Sequence, residues 1–125
     1  MEIRTVIVLV CGLVVGLIGG WLSKGYLDTR ADRALSVLAL SQANEVRSRD
    51  IQKAIFYATQ ATLANPSSYL AQLSLAEMYE QAGHKQMALD SYREALRLLR
   101  AERGGQHEES TVKKKIEQLG ALNTQ

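Results

Sequence analysis

Residues 69–102 read YLAQLSLAEMYEQAGHKQMALDSYREALRLLRAE. Apolar residues recur in this stretch at helical spacing, which predicts one helix over 69–81 and a second over 85–100. Ser67 or Ser68 stands where a hydroxyl can accept from the free N–H groups of the first helix. Gly83 supplies the left-handed residue that closes that helix and turns the chain back. Ala76, Ala88 and Ala95 are small where two antiparallel helices must approach, and Leu75, Tyr79 and Tyr92 fill the space beside them. The stretch reads as one closed helical hairpin.

Working outward, Ala54, Ala58 and Ala61 stand 34 residues before Ala88, Tyr92 and Ala95. Their helix, about Ile51 to Ala64, ends at Asn65-Pro66, because the residue before a proline is pushed out of helical geometry. Ser48 or Asp50 can cap its start. Upstream, Tyr26 to Arg47 has no proline, and Leu35, Leu38 and Val46 lie near one helical face among good helix formers. Downstream, Gly104-Gly105 makes a turn. A last helix, about Ser110 to Leu119, places Val112, Ile116 and Leu119 on one face and Lys113, Lys114 and Lys115 on the other, and stops at Gly120.

A period of 34 residues is that of the tetratricopeptide repeat (TPR), and residues 69–102 resemble it closely. Leu75-Ala76, Tyr79, Gly83, Ala88, Tyr92 and Ala95-Leu96 occur in its order and spacing. Residues 35–68 resemble it less well: Ala54, Ala58, Ala61 and Pro66 fit, whereas Ser41, Gln42 and Glu45 stand where Leu75, Ala76 and Tyr79 stand in the next unit. The resemblance implies an all-α fold, with two TPR-like hairpins forming a short α-solenoid and a C-terminal capping helix over residues 103–125. It also implies a binding groove on the face of the first helices. That face would hold Ser36, Ala39, Ala43 and Val46 from one unit, and Leu70, Leu73, Glu77 and Glu80 from the next. Family members that grip C-terminal carboxylates use basic and asparagine side chains there. Glu77 and Glu80 would repel such a ligand, so a basic or amphipathic helical segment fits better. The two glutamates are equally readable as solvated helix residues.

Before these hairpins, the run from Ile3 to Leu22 is 20 residues with one charge, Arg4. At about 1.5 Å of rise per residue it can span a hydrocarbon core roughly 30 Å thick. It is longer than a signal-peptide core, and Trp21, Leu22, Lys24 and Tyr26 occupy the place of a cleavage site. Residues 1–24 therefore read as an uncleaved single-pass transmembrane helix, and 25–34 as a helical connection to the repeats. Trp21, Lys24 and Tyr26 suit the headgroup region. Lys24, Arg30 and Arg33 after the run outnumber Arg4 and the terminal amine before it, which favours a cytoplasmic soluble domain; a periplasmic or lumenal one is the alternative. Gly12, Gly16 and Gly20, with Gly19 beside them, form a strip without side chains on one helix face, where another helix can approach closely. Its partner is a second copy of the chain, giving a homodimer, or a different membrane protein.

Little chemistry is left over. Across 125 residues, 15 basic and 13 acidic residues give a formal charge of +2, which gives nucleic-acid binding no support. The single cysteine, Cys11, lies in the apolar run and excludes an internal disulfide framework. His84 and His107 fall in turns without metal-ligand spacing, and Gly104-Gly105 lacks the sequence of a phosphate loop. The lysine-rich last helix is a solvated face, or else touches anionic lipid or an acidic partner. No catalytic residue, metal or cofactor is expected. The expected function is a non-catalytic scaffold in the lipid bilayer, an accessory or assembly subunit that docks on other membrane-protein subunits through the glycine strip and the groove. Two alternatives remain: a tethered chaperone-like adaptor for transient clients, and a self-associating structural protein.

Overall fold

The computed structural model describes residues 30–102 and 105–122. They are all-α, with five helices and no strand: α1 (30–46), α2 (Ile51–Ala64), α3 (Tyr69–Gln81), α4 (Lys85–Ala101) and α5 (Gln106–Leu122). Arg33–Gln125 forms one compact unit. Among the described residues no helix is long and apolar enough to cross a membrane. The run from Ile3 to Leu22, with Gly12, Gly16, Gly19 and Gly20, lies outside them.

The local signals act where side-chain chemistry leaves one good choice. Of the two candidate caps for α2, Asp50 is used, and its Oδ1 accepts from the Lys53 N–H at 3.0 Å. At α3 it is Ser68, whose hydroxyl accepts from the Ala71 N–H at 3.3 Å. Gly83 has φ of 80°, the left-handed conformation that a side chain disfavours. The His84 N–H donates to the Tyr79 carbonyl at 2.9 Å, and the Gly83 N–H to that of Glu80 at 3.1 Å. These two bonds close the orphan carbonyls at the end of α3. The His84 ring stands edge-on to that of Tyr79 at 6.2 Å, the apolar contact that accompanies such a cap.

Small side chains set the packing. Ala54, Ala58, Ala61, Ala71, Ala76 and Ala88 are fully buried, and Ala95 nearly so, so α2, α3 and α4 approach closely. Two clusters result. Ala76, Ala88, Leu89, Tyr92, Val112 and Leu119 join α3, α4 and α5. Ala43, Ala54, Ala58, Leu75 and Met78 join α1, α2 and α3. Leu75 thus fills the seam between the hairpins rather than the space beside Ala88 and Ala95. Tyr79, half-buried, packs against both clusters and ties them together. Pro66 is exposed in the turn between α2 and α3.

The last helix departs from expectation at both ends. It starts at Gln106 rather than Ser110 and runs through Gly120 to Leu122. Glu108 and Glu109 occupy its first turn, where carboxylates meet the positive end of the helix dipole. The Ser110 hydroxyl is no cap; it donates back to the His107 carbonyl at 2.8 Å. A glycine inside a helix costs about 1 kcal/mol. Burial of Val112 and Leu119, each worth roughly 2 kcal/mol, outweighs that and carries the helix through Gly120.

Candidate protein-binding cleft

α3 and α5 flank α4 and leave a cleft of about 150 Å³ between them. Its walls repeat at helical spacing: Tyr69, Leu73 and Glu77 on α3, and His107 or Glu108, Thr111 or Val112, and Lys115 on α5. Tyr92 of α4 contributes to the floor. The interior is apolar, from Leu73, Val112 and the tyrosine rings, and the rim is charged. Beyond Glu77 the cleft meets a wider polar basin lined by Arg47, Glu77, Glu80, Gln81 and Lys115.

The basin is internally neutralised. Arg47, in the turn after α1, donates through Nε to Gln81 Oε1 at 2.6 Å and through Nη1 to Glu77 Oε2 at 3.2 Å. Glu80 accepts from the Tyr92 hydroxyl at 2.6 Å and from Lys115 Nζ at 2.9 Å. Burial pushes the Glu80 carboxyl up, but the hydrogen bonds from Tyr92 and Lys115 outweigh it and hold the group below its ordinary range. Burial pushes the Tyr92 phenol far above its usual value, and the Glu80 carboxylate it donates to adds to that. Tyr92 therefore stays a neutral donor. Glu77 and Glu80 are engaged by Arg47 of the turn after α1 and by Lys115 of α5, and are not a free acidic end to the groove.

The expected groove residues divide. Leu73 and Glu77 line the cleft and Glu80 lines the basin. Leu70 points away and is exposed. From the first hairpin, Ser36 and Ala43 are buried instead of open: the Ser36 hydroxyl donates to the Ala61 carbonyl at 3.0 Å, and Ala43 packs in the seam with Ala54 and Ala58. The approach of α2 selects the small residues of α1, seven apart on one face, and turns them inward. Val46 packs partly into the same seam. Ala39 faces a separate groove between α1 and α2.

The residues contributed by α5 are new to the site. Lys115 was expected with its neighbours on a solvated face, yet it is half-buried and reaches back to Glu80 of α3. Carrying the 34-residue offset into α5 makes His107 and Thr111 the counterparts of Leu73 and Glu77, but it gives Lys114 rather than Lys115 as the counterpart of Glu80. Among the described residues no three histidine, cysteine or acidic side chains gather as a metal site. No protein-family model matches the chain, and no curated protein matches it in sequence.

Proposed function

We propose that this chain is a non-catalytic, membrane-anchored scaffold of the tetratricopeptide type, an accessory or assembly subunit of a membrane protein complex. In this reading residues 3–22 span the bilayer, and Gly12, Gly16 and Gly20 let a partner's membrane helix approach. The soluble helices stand on the cytoplasmic side and hold a segment of the same or a neighbouring subunit. The observation that carries the reading is the open cleft between α3 and α5, with an apolar interior sized for one anchoring side chain. The 34-residue offset between buried Ala54, Ala58 and Ala61 and buried Ala88, Tyr92 and Ala95 supports the repeat assignment. Because Glu77 and Glu80 already hold Arg47 and Lys115, the apolar anchor rather than a basic residue gives the partner most of its affinity.

The test is co-purification from native membranes in mild detergent. Thr111→Trp, at an exposed cleft position, fills the cleft without breaking an ion pair and should release the soluble contact. Gly16→Leu should release the membrane contact. Partner stoichiometry unchanged by both substitutions would reject the scaffold reading.

A further inference from the structure

The first hairpin exposes an apolar face that the second hairpin lacks. On α1 and α2, Leu35, Leu38, Phe56 and Leu63 are 55%, 57%, 58% and 67% exposed, and Val37, beside them on α1, is 68% exposed. Leu35, Leu38 and Phe56 border one groove between α1 and α2, together with Ala39, Tyr57 and Ala64. Leu63 lies two turns from Phe56 on the same side of α2. Single exposed leucines need no explanation, but a group sharing one surface does. Thirty-four residues on, the counterparts of Phe56, Gln60 and Leu63 are Asp90, Glu94 and Arg97. There the helix is solvated and laced by the Asp90–Arg93 and Glu94–Arg97 pairs. The same position in the same kind of element is thus polar in one hairpin and apolar in the other.

We propose that this face of the first hairpin rests on the lipid bilayer surface beside the anchor, an inference that depends on residues 3–22 spanning the membrane. Chain length and charge both select this occupant. Eight residue steps separate Leu22 from Arg30, so Arg30, where the described part of α1 begins, stays within about 28 Å of Leu22 in any conformation. Leu35 and Leu38 follow Arg30 by five and eight residues. Residues 30–64 carry five basic residues (Arg30, Arg33, Arg47, Arg49, Lys53) against three acidic ones (Asp32, Glu45, Asp50), whereas residues 65–125 carry eight of each. Arg47 is turned to Glu77 of α3, which leaves Arg33, Arg49 and Lys53 among the first hairpin's cations to meet an anionic headgroup layer. The amphipathic ring of Tyr57, packed edge-on against Phe56 at 5.7 Å, suits the same boundary.

The experiment uses the full chain with Cys11→Ser, reconstituted in nanodiscs of phosphatidylcholine with or without phosphatidylserine. Single spin labels are attached through Leu38→Cys, Phe56→Cys or, as a control, Glu94→Cys. Expected is a severalfold higher ratio of oxygen to nickel-chelate accessibility at positions 38 and 56 than at 94, rising further with phosphatidylserine. Water-like values at all three positions, in protein that stays in the disc at high pH, overturn the proposal and leave the anchor standing. Loss of the protein from the discs overturns both. Shielding of 38 and 56 only in discs holding two copies assigns the face to a second copy of the chain and overturns the lipid contact.

Discussion

The Tyr92 hydroxyl donates to the Glu80 carboxylate at 2.6 Å, which ties the middle of α4 to the end of α3 beneath Lys115. One buried phenol thus orients the carboxylate that α5 grips. Tyr92→Phe keeps the ring in the core and removes only this bond, so chemical denaturation should find a loss of about 1–2 kcal/mol.

Acid should weaken the same contact. The Glu80 carboxyl is held below its unfolded value, about 4.3, so its stabilisation is complete above that pH. It is lost as the pH falls through the lower folded value. Tyr92→Phe brings the two values closer, so the variant should lose less stability than the parent between neutral and strongly acidic pH. Urea midpoints measured across that range give the comparison.

Two glycines should respond oppositely to alanine. At Gly83, φ of 80° makes any side chain strained, and Gly83→Ala should cost about 1 kcal/mol or more. Gly120 lies inside α5 with no atom within 4 Å of an added Cβ. Gly120→Ala should raise stability by up to about 0.8 kcal/mol, less if the helix end frays. Paired thermal melts suffice.

Enlarging the alanine seam should be costly. Ala43 is fully buried against Ala54, Ala58, Leu75 and Met78, and Ala43→Leu should destabilise by about 1–3 kcal/mol through forced rotamers and helix displacement. Ser36→Ala should cost less, about 0.5–1 kcal/mol, because the Ala61 carbonyl still accepts from the Asn65 N–H.

Arg47 joins the turn after α1 to α3 through both Glu77 and Gln81. Its planar fork makes two contacts that a single ammonium cannot reproduce. Arg47→Lys should therefore recover only part of the loss in Arg47→Ala, itself no more than about 1 kcal/mol because the pair is partly exposed. A double-mutant cycle with Glu77→Ala isolates the pairwise share.

What could be read beforehand was what local chemistry decides. The bounds of α2 and α3, and the turn at Gly83, follow from a cap, a proline and a glycine whose roles need no tertiary partner. The inward face of α1 was not legible: Ser36 and Ala43, expected on the open groove, meet α2, while Leu35 and Leu38 stay exposed. That choice depends on how near α2 comes, which α1 does not encode. The start of α5 was legible only four residues late, at Ser110 instead of Gln106, because residues 106–109 carry no apolar side chain to mark a buried face. The inward reach of Lys115 required knowing that Glu80 of α3 awaited it across α4. The cleft was therefore half legible, its α3 wall present and its α5 wall absent.

The close backbone approaches of α2 to α5 run only between sequence neighbours: α2 with α3, α3 with α4, and α4 with α5. An array built this way has short loops to close before its contacts form, so it can fold quickly and in the order of synthesis. It also has a preferred direction of failure. Force applied through the amino-terminal end reaches α1 first, whose hold on the rest is Ser36, the Ala43 seam and Arg47. Under such a pull the helices would peel away one after another from that end, leaving the α3–α5 cleft until last.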